Sequence, residues 1–204
     1  MTPPSQKILI ATHNAGKLRE FSSMFARTPF ELVSLSDLGI DVDVDETGVT
    51  YAENATLKAE AYARLSGLPT LADDSGLEVD GLDGEPGVRS ARYAGEDATD
   101  DDRIAFLLQK LNNIPKEMWT ARFRCVIALT RPDAPVELYE GRCEGVITDR
   151  PRGASGFGYD PLFYIPDMDR TMAELSFDEK NRVSHRGRAS QSVIAALRGR
   201  DWKV

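Results

Sequence analysis

Cysteine is scarce in this chain: only Cys125 and Cys143 occur among 204 residues. Two thiols are too few for a disulfide scaffold at this length, and no metal-site spacing joins them, so they point to a reducing compartment and to packing roles. Long apolar runs are missing as well. The opening MTPPSQKILIATHN holds one short apolar stretch, KILIA, without a signal-peptide core or cleavage pattern, and nothing approaches the roughly 20 apolar residues of a spanning helix. Positive charge is in deficit, with 25 Lys and Arg against 33 Asp and Glu and a net charge of -8. That balance excludes a broad basic face for nucleic acid or an anionic membrane, so an anionic ligand must meet a local cluster of cations. The expectation is a cytoplasmic protein with neither nucleic acid nor membrane as partner. Internal repeats, low-complexity tracts and Pro/Gly/Ser-rich linkers are also absent, and 41% hydrophobic residues suffice for a substantial core. One domain over 1–204, as a single body or as two tightly joined lobes, is therefore expected.

Helix and strand signals are present and alternate. Lys7–Thr12 reads as a branched apolar strand running into a polar loop and then an amphipathic helix over about Gly16–Ala26, with Leu18, Phe21, Met24 and Phe25 on one face. Thr50 and Glu53 form a capping-box pattern that starts an Ala-rich helix ending near Ser66, before Gly67 and Pro69. A short buried strand is expected at Thr70–Ala72 and a helix at Asp100–Leu111 behind an Asp-rich first turn. Thr120–Thr130 and Val136–Ile147 flank RPDAP as a hairpin, Thr171–Glu174 repeats the capping pattern, and a last helix spans about His185–Leu197. Early alternation and late antiparallel pairing give an α/β class with a mixed sheet.

Four segments have compositions that folding alone does not account for. Thr12-His13-Asn14-Ala15-Gly16-Lys17 lies where a strand meets a helix N-terminus, a place that favours phosphate, although the same residues would also serve as an ordinary turn. The Walker pattern GxxxxGK[ST] occurs nowhere. In Leu71–Asp80 the adjacent Asp73 and Asp74 emerge from an apolar strand and need a cation or water beside them. Magnesium takes carboxylate oxygens in small number and completes its shell with water and phosphate; the loop Asp43-Val44-Asp45-Glu46 can add a ligand, unless both clusters are solvated turns. Arg152–Pro161 is Gly-rich and carries Phe157 and Tyr159, which suits either a base pocket or aromatics tucked into the core. Lys180–Arg188 is a basic patch at the entrance to the last helix, suited to an anion or a carbonyl oxygen or else to plain solvation. Lys58, one turn after Asn54, adds a cation on the same helical face.

In order along the chain, KILIATHNAGKLREF, ETGVTYAENATLKA, LADDSGLEVDGLDGEPGVRSARYAGEDATD, ARFRCVIAL, GFGYDPLF and SHRGRA resemble the inosine triphosphate pyrophosphatase family of house-cleaning enzymes across nearly the whole length. That resemblance implies an elongated mixed β-sheet flanked by helices, with two lobes and the active site in the cleft between them. It implies magnesium-dependent hydrolysis of deaminated purine triphosphates (ITP, dITP, XTP) to monophosphate and pyrophosphate, by a homodimer. Asp74 falls on the carboxylate treated as general base and metal ligand, with Asp73 beside it, and Lys58 on the helix lysine facing the triphosphate. Thr12, His13, Asn14, Ala15, Gly16 and Lys17 fall on the phosphate loop, and His13 stands where relatives often carry Gly. Ser75 falls on a substrate contact, and Asp45 or Glu46 on a second metal ligand. Phe157, Gly158, Tyr159 and Asp160 fall on the base-pocket loop, and Lys180, His185 and Arg186 on the basic, base-recognising residues. Rival readings are a septum-inhibitor type of nucleotide pyrophosphatase, a non-catalytic nucleotide sensor and a phosphatase; base preference and released product separate them.

Overall fold

Ile8, Leu9 and Ile10 are all buried, so neither face of the first strand meets water, the pattern of a strand with parallel neighbours and layers on both sides. The computed structural model describes residues 6–198. In it β1 (Gln6–Ile10) pairs in parallel with β2 (Phe30–Ser34), Leu9 opposite Val33, and on its other side with β3 (Thr70–Val79), Leu9 opposite Thr70. Parallel neighbours need crossovers, which α1 (Ala15–Phe25) and α2 (Tyr51–Ser66) supply. After α3 (Asp100–Leu111) come β4 (Thr120–Thr130) and β5 (Glu137–Ile147), neighbours in the sheet joined by a turn too short for a crossover. β6 (Phe163–Ile165) and β7 (Arg170–Thr171) continue it antiparallel, with Ile147 opposite Phe163 and Tyr164 opposite Thr171. Among the described residues the order is β2-β1-β3-β4-β5-β6-β7, a seven-stranded mixed sheet. The last described elements are α4 (Phe177–Val183) and α5 (His185–Leu197). No helix among the described residues is long and apolar enough to cross a membrane.

The chain forms two compact units. The first takes the residues up to Asp74, Cys125–Gly141 and those from Gly187. Its core packs Ile8, Ile10 and Leu71 with Phe21 and Phe25 of α1, Ile127 and Leu129 of β4, and Val193 and Leu197 of α5. The second takes Ser75–Arg124 and Arg142–Arg186, around Leu77, Val79, Leu107, Leu111, Phe123, Ile147, Leu162 and Phe163. Cys125 and Cys143 are buried thiols, one in each core.

Several boundaries differ from the sequence reading. β3 does not stop at Ala72 but runs to Val79, so Asp73 and Asp74 lie inside a strand and are buried, not perched at its end. β2 and α4 carried no signal strong enough to be expected. Thr171 and Glu174 make both capping-box hydrogen bonds, but they head a single 3₁₀ turn, Met172–Glu174, because Leu175 returns to extended backbone.

Local chemistry sets the helix ends. Thr50 Oγ1 accepts the Glu53 N–H while Glu53 Oε2 accepts those of Val49 and Thr50, and Gly67 closes α2 at a φ of 70°. Replacing Thr50 by Ala orphans one of these donors and is expected to cost about 1 kcal/mol. A lowered urea midpoint at unchanged slope would register the loss. In α4, hydrogen bonds from Arg170 and from Ser176 hold the Glu179 carboxyl at about 2, below its ordinary 4.5. The folded state thus binds fewer protons than the unfolded chain there, so the contribution is complete above about pH 4.5 and fades as pH falls toward 2. Glu179→Gln is expected to flatten that acid limb in unfolding midpoints recorded against pH.

Candidate active site

In the first unit β1 delivers the chain into Thr12, whose Oγ1 accepts the Asn14 N–H at 3.2 Å. Asn14 caps α1, its Oδ1 accepting the Lys17 N–H at 3.0 Å, and this bond fixes the first turn. His13, Asn14 and Ala15 are exposed, while Thr12, Gly16 and Lys17 are half-buried. The helix start therefore presents backbone N–H groups to solvent, with the positive end of the helix dipole behind them, while the Lys17 side chain turns inward to Asp73.

Beside it lies an acidic centre. Lys17 Nζ is 3.1 Å from Asp73 Oδ2, and Lys58 Nζ pairs with Glu46 Oε1. Asn54, fully buried, donates from Nδ2 to Asp74 Oδ2 at 3.0 Å. Two cations thus stand among three carboxylates, with Asp73 and Asp74 only 1% and 5% exposed. Burial pushes the Asp74 carboxyl above its ordinary value; Lys58 and Lys17 pull it back in part, and Glu46 pushes it further. For Lys58 burial works against the charged form, but Glu46, Asp73 and Asp74 together outweigh it and leave the ammonium more basic than usual. Asp45 is exposed and Glu46 half-buried against Lys58, so of the two acidic-loop candidates Glu46 is the one drawn into this centre.

The second unit holds the other group. Asp160 and Lys180, 3% and 4% exposed, form a buried pair at 2.6 Å, and the same Asp160 oxygen accepts the Phe157 N–H at 2.9 Å. Gly156 permits this turn: its φ is 84°, and a Cβ there would sit 2.1 Å from Asp160 Oδ2. Phe157, half-buried, has Lys180 Nζ 4.8 Å from its ring centre and the Arg186 guanidinium carbon at 5.7 Å. Arg186, 1% exposed, donates to Ser75 Oγ at 2.7 Å, and the His185 ring stacks on Phe123 with centroids 4.8 Å apart. Gly158 gives its N–H to Asp100 Oδ2 at 2.7 Å, which ties the loop to the first residue of α3.

The family model that matches this sequence, described as the Ham1 family, covers residues 8–196. The chain belongs to the Ham1 family. It is 54% identical over 184 residues to a dITP/XTP pyrophosphatase of Geobacillus kaustophilus, covering 90% of each chain. The fold is similar to that of the Ham1 protein of Staphylococcus aureus, with a TM-score of 0.85 and 45% identity over 95% of this chain and 99% of the other. A HAM1 protein from Coxiella burnetii superposes with a TM-score of 0.88 at 41% identity, over 96% and 100%.

Within this Ham1-family chain the structure brings Lys17, Glu46, Lys58, Asp73 and Asp74 together, and separately Ser75, Phe157, Asp160, Lys180, His185 and Arg186. The segment read as a basic surface patch divides: Arg182 and Arg188 are exposed, whereas Lys180, His185 and Arg186 are buried. Asp160, twenty residues away, gives Lys180 its counter-charge, which no local pattern announces. Tyr159 turns inward, packing in the second core and donating its hydroxyl to the Ser90 carbonyl at 2.9 Å. Asn54 and Asp100 were missed as site residues. The signal for Asn54 was its place one turn before Lys58 and two before Tyr62, a polar stripe on an otherwise Ala-rich helix.

Proposed function

We infer that this Ham1-family chain is a nucleoside triphosphate pyrophosphatase that converts dITP, XTP and ITP to monophosphate and pyrophosphate, clearing deaminated purines from the nucleotide pool. The observation that carries the reading is the centre in which Lys17 and Lys58 stand among Glu46, Asp73 and Asp74 beside the N-terminus of α1. The relative from Geobacillus kaustophilus, named for that activity, supports it.

The lysines and the N–H groups of Ala15 and Gly16, at the start of α1, bind the triphosphate and neutralise its charge, the dominant demand in phosphoryl chemistry. Asp74 takes the proton of the attacking water. Its burial favours this role, since a carboxylate held above its ordinary value is a better base near neutrality. Attack falls on the α-phosphorus, so the β–γ pair leaves together. The donors available, carboxylate oxygens of Glu46, Asp73 and Asp74, fit a hard divalent cation. Among the described residues no group of three or more acidic, His or Cys side chains closes around an ion, so substrate oxygens and water would complete the shell. Magnesium bound there would withdraw charge from the phosphates and the leaving pyrophosphate.

In the second unit Phe157 offers the ring on which a purine stacks, and Asp160 and Lys180 hold it in place. His185 and Arg186 supply donors for the 6-oxygen of hypoxanthine or xanthine; adenine would put an amino group against donors and leave them unsatisfied. Guanine shares the 6-oxo group, so its exclusion falls to the 2-position. Tyr159 contributes through its place in the loop, because its side chain belongs to the core. Resemblance to the family also supports a homodimer in the cytoplasm.

Incubation with dITP, XTP, dATP and dGTP, with and without magnesium, tests the reading. Pyrophosphate should appear from dITP and XTP only when metal is supplied. Stepwise orthophosphate, or equal turnover of dATP, would refute it.

A further inference from the structure

We propose that Asn54 is a positioning residue that fastens the acidic loop to the Asp74 carboxylate, so that the loop and the base are set as one piece before substrate arrives; the proposal rests on the reading of Asp74 given above. Asn54 is fully buried and both ends of its amide are engaged. Nδ2 donates to Asp74 Oδ2 at 3.0 Å, and Oδ1 accepts the Gly48 N–H at 2.8 Å. A short primary amide suits this place because it donates to a carboxylate and accepts from a backbone N–H at once. Gly48 comes so close that a Cβ on it would lie 2.7 Å from Asn54 Oδ1 and 2.6 Å from Glu53 Cβ.

The same stripe of α2 grips the loop at two further points. Lys58 Nζ pairs with Glu46, and the Tyr62 hydroxyl donates to the Val42 carbonyl at 2.8 Å. Residues 54, 58 and 62 are one turn apart, so α2 holds the loop along one line. Asn54 adds a direct hydrogen bond to Asp74 on β3. Its contribution is to orientation, and a misplaced reacting group forfeits rate while leaving binding of the triphosphate largely intact.

Two variants separate the ends of the amide. Asn54→Leu removes both hydrogen bonds. Asn54→Asp keeps an acceptor for Gly48, but its ionised carboxylate has no hydrogen to donate to Asp74 and repels it. With dITP and magnesium, both are expected to lose about 100-fold in kcat while KM stays within about 3-fold of the parent. Amide hydrogen exchange at Gly48, measured without substrate or metal, should speed up in Asn54→Leu and stay at the parental rate in Asn54→Asp. Parental kcat in Asn54→Asp overturns the proposal, as does unchanged Gly48 exchange in Asn54→Leu or a KM rise that matches the loss in kcat. Should Asn54→Leu fail to fold, Asn54→Asp still decides by its kcat and Gly48 exchange. A parent that turns over neither dITP nor XTP would instead refute the reading of the site, and Gly48 exchange would still report whether Asn54 holds the loop.

Discussion

Asp74→Asn is expected to lower kcat for dITP about 10³-fold, the scale at which a positioned general base contributes. The substitution keeps shape and the neighbouring amide contact but removes the negative charge that receives the proton. Stability should not fall with activity. Burial already disfavours the ionised Asp74 side chain, so a neutral amide is easier to bury there, and the unfolding midpoint should hold or rise. Steady-state kinetics alongside thermal unfolding check both halves. Activity within a few-fold of the parent, or a collapse of the fold, would contradict the assignment of Asp74.

Asp160→Asn is expected to act in the opposite sense, on stability first. Lys180, itself buried, would lose the carboxylate that stands 2.6 Å from its ammonium, and removing one partner of such a pair costs about 3–5 kcal/mol. The Phe157 N–H would lose a charged acceptor as well, loosening the loop that presents the aromatic ring. Urea unfolding should register the first effect and a raised KM for dITP the second. Pairing the change with Lys180→Met removes the buried cation as well, so the double variant should recover most of the stability while KM stays high. Recovery of both together would mean that Asp160 shapes nothing beyond its own ion pair.

What could be read from the residues alone was set by local physics. α1, α2, α3, α5 and the β4–β5 hairpin lay within about a residue of their expected ends, because amphipathic spacing, Thr50 with Glu53, and Gly67 act over a single turn. β3 was cut short because Asp73 and Asp74 look like the start of a loop. Lysines 56 and 16 residues away, Lys17 from Asp73 and Lys58 from Asp74, are what make them tolerable in a strand. The basic segment Lys180–Arg188 misled for the same reason, since Asp160 and Ser75 hold the Lys180 and Arg186 side chains that composition alone would leave in solvent. Candidate residues were legible as types and positions. Their partners were not, and Asn54 went unnoticed because its role consists wholly of partners distant in sequence or beyond its own helix.

Hydrolysis of dITP in water carrying heavy oxygen tests the central claim most directly, because it reports which phosphorus is attacked. If the base, the lysines and the helix start act as described, the label enters the monophosphate and the released pyrophosphate carries none. Label in pyrophosphate or in orthophosphate would place the attack elsewhere on the triphosphate and contradict the account.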